Sequence, residues 1–345
     1  MTAIALTARE STILNCIVES YVKMAKPVGS RYLAKSHQLG ISPATIRNVM
    51  NDLEEMGFLH QPHISAGRVP TDKGYRFYVD SLMLVKKLKR HERQIIRKNL
   101  SRVSPDVDEV LEVASQVLGE ISSQLGVVLE PSFYQGIFQK IELVGVSENR
   151  IMAVISIKSG LVKTILMEIE SEVSQDQLHK TSWIINERLS GLSLKEVKSS
   201  IDKRLGDVAT DDDRLIRMIV ASSEKLFNFE NHKDLHLGGR NNIFSIPEFS
   251  DGQFAANILE LIECKENILQ RFEEELNDKT TIRIGAENKE HLLSACSVVT
   301  ATYHVGHVSG TLGILGPTRM PYARIVPLVG YVGEVLTQTL SPAVC

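Results

Sequence analysis

Arg47, Asn48 and Asn51, with Ser42 and Thr45 just ahead of them, gather forked and short polar side chains into the stretch "SPATIRNVMND". A guanidinium or a carboxamide offers two hydrogen-bonding groups in one plane, the arrangement that matches a guanine or adenine edge in a major groove. Such groups act together only if one element presents them on one side. Ile46, Val49, Met50, Leu53 and Met56 recur at steps of three and four, which predicts a helix with those residues buried. Ala44, Arg47, Asn48 and Asn51 then lie on the opposite face, and Thr45 projects from the first turn. An ordinary solvated face is a Glu/Lys mixture that strengthens its helix through paired charges. Asn and Thr are mediocre helix formers, so this face weakens the helix and points to a functional demand.

The elements around that helix are legible too. Ser42 is its expected N-cap, Pro43 fits the first helical position, and Gly57 ends it in a left-handed cap. Thr7-Ala8-Arg9-Glu10 reads as a capping box opening a first helix with Ile13, Leu14, Ile17, Val18, Tyr21 and Val22 on one stripe. Lys26-Pro27 stops it. Ser30 is expected to cap a short second helix that turns Tyr32, Leu33 and Ala34 inward. Phe58 to Gln61 reads as a strand, Pro62 to Arg68 as a turn, and Val69 as the return strand. A helix-turn-helix followed by a hairpin is a winged helix. His63, Ser65 and Arg68 fall in its wing, with Arg68 expected at the tip, where it could enter a narrow, electronegative minor groove. Thr71 should cap a fourth helix reaching Asp80, with Tyr75, Tyr78 and Val79 packed inward.

Charge supports this division. Residues 1–102 hold 17 Lys+Arg against 8 Asp+Glu, whereas the remainder is acidic and brings the chain to a net −3. A basic first third on an acidic body suits a nucleic-acid-binding module joined to a regulatory or oligomerising part, although one solvated basic face over Lys86 to Arg102 contributes to the imbalance. The 345-residue length predicts two or three domains. No signal-like or membrane-spanning apolar run stands out. Four scattered cysteines, Cys16, Cys264, Cys296 and Cys345, form no C-x-x-C pair and fit reduced thiols in a cytoplasmic protein.

Beyond the wing, residues 81–125 are helical in pattern, with Leu82, Leu84, Val85 and Leu88 as an apolar stripe and a linker near Pro105. Strands are expected at Gly126–Leu129, Lys140–Val146, Ile151–Ile157 and Leu161–Glu168, the last three as an antiparallel meander. Helices follow at Asp176–Leu189, Leu194–Lys203, Asp211–Phe227 and Phe254–Asn277. Strands return at Thr281–Gly285, Ser297–Val305 and Gly310–Gly316 before a closing helix from Tyr322. Strands interrupted by helices and then resumed predict an α+β domain carrying an insertion.

"SPATIRN", "LEEMGFL", "QPHISAGRVPTDKGYRFYVD", "IGAEN", "CSVVTATY" and "GILGPTRMPY" together resemble the HrcA-type heat-inducible transcription repressors of bacteria, in the same order along nearly the whole chain. The wing segment is the most specific of these; residues 160–230 match mainly in pattern. The resemblance implies a winged-helix DNA-binding domain over 1–80 and a helical linker over 81–108. It further implies a discontinuous GAF-like domain over 109–160 and 231–345, and an inserted dimerisation domain over 161–230. It implies a homodimer that represses chaperone genes from an inverted-repeat operator, a chaperonin that keeps it active, and loss of activity on heat stress. An effector-sensing winged-helix regulator is the alternative.

Catalytic and cofactor chemistry find little support. "GTLGILG" has glycines at every third position but no phosphate-binding lysine, and a strand explains it better. His304 and His307 are expected on opposite faces of a strand. His232 and His236 could share a helix face, yet lack an evident third ligand, so no metal is expected. Cys296 reads as a buried thiol. The residues expected to meet DNA are Ser42 and Thr45 at a phosphate, Arg47, Asn48 and Asn51 at base edges, and His63, Ser65 and Arg68 in the wing.

Overall fold

Thr7 Oγ1 accepts the Glu10 N–H at 3.3 Å while the Glu10 carboxylate accepts the Thr7 N–H at 2.7 Å, so α1 (Ala8–Met24) starts at the expected capping box. The structure, a computed structural model, describes residues 6–340 apart from 103–105, 170–172, 209–213, 228–233, 264–267, 270–271 and 273–279. Helices α2 (Ser30–Ser36) and α3 (Pro43–Glu55) follow, then strands β1 (Leu59–His60) and β2 (Val69–Pro70), which pair antiparallel, and α4 (Asp72–Phe77). Ile13, Leu14, Ile17 and Val18 of α1 and Leu33 of α2 are buried with Ile46, Val49, Met50 and Leu53 of α3. That is a winged helix. Ser30 is not the cap of α2: Gly29 holds that position without a side-chain bond, and Ser30 is the first helical residue. Thr71 does cap α4, accepting the Gly74 N–H at 3.1 Å, and Tyr75 and Tyr78 are buried.

Residues 83–89 are not helical, and the expected stripe there dissolves. Lys86 N–H instead donates to Ala323 O at 2.9 Å, leaving Leu84 84% and Val85 57% exposed. Helix α5 (Arg90–Leu100) buries Ile96 and Leu100 in the main core, and α6 (Val107–Ser122) follows it.

The body is a five-stranded antiparallel sheet in the order β7 (Leu235–Gly238), β3 (Leu125–Leu129), β10 (Val308–Pro317), β9 (Cys296–Val305), β8 (Thr281–Ile284). Both faces are covered, which is why its strands read as near-continuous apolar runs. Val128, Ala301, Tyr303 and Leu312 face the core shared with α6 and the closing helix. Leu125, Val127 and Cys296 face a second core with Phe254, Ile258 and Leu261 of the helix Gly252–Glu263. "GTLGILG" lies within β10, paired on both sides. Strand β7 lies outside every expected element. It places His236 in a sheet rather than on a helix face, while His232 lies outside the described residues.

A separate three-stranded sheet, β4 (Phe138–Ser147), β5 (Arg150–Ile157) and β6 (Val162–Glu168), forms the expected meander. Helices α7 (Gln175–Leu189), α8 (Leu194–Leu205), α9 (Arg214–Ala221) and α10 (Ser223–Phe227) accompany it. Asn186 of α7 accepts the Ile141 N–H at 2.7 Å and donates to Ile141 O at 3.0 Å, covering part of an otherwise open strand edge. A division between 160 and 161 would cut the β5–β6 ladder, so we assign 138–227 to one unit. After β7 come α11 (Arg240–Ile243), α12 (Gly252–Glu263), the strands β8–β10 and α13 (Tyr322–Leu340).

Two arginines latch the winged helix to this body. Arg76 reaches both Glu287 oxygens (Nε–Oε1 2.8 Å, Nη2–Oε2 2.5 Å) and Ile282 O, and Arg319 joins Glu248 at 2.6 Å to Val22 O at 2.7 Å. Burial opposes the Glu287 charge, but hydrogen bonds from Arg76 and the Ile284 N–H outweigh it and hold the carboxyl below its usual range. A depressed folded-state pKa contributes stability above the unfolded value of about 4.3 and loses it as pH falls through the folded one. Arg76→Ala is therefore expected to destabilise by about 1–3 kcal/mol at pH 7. In urea titrations the gap to the parent should narrow below roughly pH 4.

Candidate nucleic-acid interface

The start of α3 is built to be sharp. Ser42 Oγ accepts the Thr45 N–H at 3.1 Å and lies 3.0 Å from Thr45 Oγ1, and Pro43 occupies the first turn, where a missing N–H costs nothing. Both hydroxyls thus sit at a helix N-terminus, where unpaired N–H groups and the helix dipole attract a phosphate. Burial of Ile46, Val49, Met50 and Leu53 fixes the rotation of the helix, and Arg47, Asn48 and Asn51 are exposed on its other side.

The wing stands against that exposed face. Its base is pinned by reciprocal backbone bonds between Val28 and Arg68, 2.9 Å each way. Gly67 makes this approach possible, since a Cβ there would fall 2.4 Å from the Val28 carbonyl. Gln61 Nε2 donates to the carbonyls of Ile64 and Ala66, both at 2.9 Å, and so shapes the turn. His63 and Ile64 are exposed and Ser65 stands beside them, with Ile64 99% exposed.

Arg68 is not at the tip. Its guanidinium lies at the wing's base, 14% exposed, bonded through Nη2 to Asn51 Oδ1 at 2.9 Å and to Glu54 at 2.8 Å. The residue that reads as a free arginine therefore ties the wing to α3 and orients the Asn51 carboxamide. Arg68→Met should lower the stability of the free protein by about 1–3 kcal/mol, measured by denaturation before any DNA is added. A variant as stable as its parent would instead mark Arg68 as a dedicated DNA contact.

Between α2, α3 and the wing lies an open groove of about 610 Å³, lined by Arg31, Arg47, Asn51, Gln61, Ser65 and Arg68 among others. The N-terminal unit matches, over residues 5–81, the family described as "Winged helix-turn-helix transcription repressor, HrcA DNA-binding", and residues 108–326 match "HrcA protein C terminal domain". The chain belongs to the HrcA family. Among similar proteins are the heat-inducible transcription repressors HrcA of Chlorobium phaeobacteroides (strain BS1), 43% identical over 97% of this chain and 99% of that one, and of Prosthecochloris aestuarii, 43% identical over 99% of each. That of Syntrophobacter fumaroxidans is 38% identical over 97% of this chain and 98% of its own. A crystal structure of a hypothetical protein at 2.2 Å resolution shares the fold, with a TM-score of 0.61 at 23% identity, covering 98% of this chain and 99% of that one. These HrcA relatives carry a regulator's name, not an enzyme's, and no helix among the described residues is long and apolar enough to cross a membrane.

Within this HrcA architecture, Arg31, Gln61 and Ile64 complete the groove and wing without having stood out in the sequence. Arg31 is exposed on α2 and reaches the groove only through the fold. Ile64 carries a signal, the one branched aliphatic side chain in the seven-residue turn Pro62–Arg68. A single apolar side chain at the end of a wing is the kind that wedges into a minor groove.

Proposed function

We propose that this chain is a transcription repressor that binds an inverted-repeat operator as a homodimer and releases it on heat stress. The observation that carries this reading is the shared open face of α3 and the wing, where Arg47, Asn48 and Asn51 stand exposed beside the groove. α3 enters the major groove, with Arg47, Asn48 and Asn51 on base edges and Ser42 and Thr45 on a phosphate. His63, Ser65 and Ile64 follow the backbone or minor groove, and Arg68 holds the wing in register with α3. The unit over 138–227 supplies the dimer contact, and a twofold axis then makes the site an inverted repeat. The heat-inducible transcription repressor names of the relatives support repression tied to heat, and the family resemblance supports chaperone genes as targets and a chaperonin as the partner that keeps the repressor active.

Selection of bound fragments from random and genomic DNA, with and without chaperonin and at rising temperature, tests this reading. The expected result is an inverted repeat upstream of chaperone genes, retained longer when chaperonin is present. Recovery of fragments with no common half-site would overturn it.

A further inference from the structure

Asp108 at the start of α6, Glu130 just past β3, and His236 in β7 each bring a donor atom to within 4.8 Å of the others. Glu130 is 7% exposed, and with Asp108 it borders a cavity of about 280 Å³. The imidazole is arranged in a particular way. His236 Nδ1 faces Glu112 Oε2 at 3.4 Å, while Nε2 is buried and has no hydrogen-bond partner among the described residues. An imidazole oriented by a carboxylate at one nitrogen, with a free lone pair at the other, is how metal-binding histidines are prepared.

We propose that Asp108, Glu130 and His236 bind a divalent first-row transition ion such as Zn²⁺, with Glu112 orienting the histidine. One nitrogen and two carboxylate oxygens suit zinc-like ions better than Mg²⁺ or Ca²⁺, which prefer oxygen alone. Three protein ligands also leave a coordination position open toward the cavity. Donors held about 2.0–2.2 Å from one ion stand roughly 3.4 Å apart, so the three side chains rotate inward on binding.

Lys163 Nζ lies 3.2 Å from Glu130 Oε2 and is the cation this carboxylate already has. Lys163 belongs to β6, in the three-stranded unit, whereas the three ligands belong to the five-stranded body. An entering ion takes Glu130 from Lys163 and removes an ion pair between the two units. Ion occupancy and the seating of the unit over 138–227 are thereby linked, independently of any DNA contact.

The test uses the full chain, treated with chelator and titrated with CoCl₂ while visible absorption is followed, then competed with ZnCl₂. Saturable binding at one ion per chain is expected, displaced by Zn²⁺. Asp108→Asn and His236→Gln should each weaken it on the order of tenfold or more. Lys163→Met removes the competing ammonium and should strengthen binding several-fold. Asp108 and Lys163 are not core residues, so their variants remain informative if the His236 variant fails to fold. Absence of saturable Co²⁺ binding, or equal affinity in the parent and Asp108→Asn, would overturn the site. Weaker binding in Lys163→Met would overturn the competition.

Discussion

Replacing Arg47 by alanine is expected to cost about 1–3 kcal/mol at each half-site and to relax the preference at one base pair. The side chain is exposed on α3, so its removal subtracts a contact and leaves the helix in place. The Ser42 cap and the buried Ile46, Val49, Met50 and Leu53 hold that helix without Arg47. On the proposed inverted repeat a dimer would lose the contact twice, so binding should fall by about 2–6 kcal/mol, roughly 30-fold or more. Random duplex, held through phosphates alone, should lose far less. Fluorescence anisotropy on operator and random duplex at two salt concentrations separates these outcomes. Equal losses on both, with a shallower salt dependence, would make Arg47 a phosphate contact and sink its base-reading role.

Why α3 was legible while the role of Arg68 was not follows from where their information lies. Ser42, Pro43 and the apolar steps from Ile46 to Leu53 are local, and local rules fix both the start and the rotation of the helix. Arg68's surroundings depend on Val28, which pairs with it across the wing's base from the far side of α2 and α3. A turn's length says little about which of its residues stands at the tip. Leu84 and Val85 mislead for a related reason: their spacing with Leu82 and Leu88 suits a helix, but the backbone finds its partner at Ala323. Strand β7 has little local signature, because "LHLG" is short and carries a histidine. Its pairing with β3 supplies what its own sequence does not. The meander over β4–β6 was plain from its turns, but nothing in the pattern says that it leaves the main sheet. Hence the expected boundary near 160 falls inside its last hairpin.

The largest stability effect is expected from Gly238→Ala, where α6 meets the β3–β7 edge almost backbone to backbone. A Cβ at Gly238 would fall 2.1 Å from the Ser115 carbonyl oxygen, and one at Gly126 would fall 2.2 Å from the same atom. No side chain can rotate away to relieve this; the helix itself must retreat. Retreat opens the contacts of Leu111, Ala114 and Leu118, all fully buried, so about 3 kcal/mol or more should be lost in urea denaturation. Gly252→Ala is the control: among the described residues nothing lies within 4 Å of its added methyl, and the change should be neutral or mildly stabilising. Gly126→Ala should resemble Gly238→Ala, and the double variant should cost less than the sum, because one displacement of α6 relieves both clashes. Strict additivity would place the two glycines in separate contacts and refute a shared helix–sheet seam. The same displacement carries Asp108 and Glu112 away from His236, so Gly238→Ala should also weaken Co²⁺ binding at the proposed site while the exposed face of α3 stays intact.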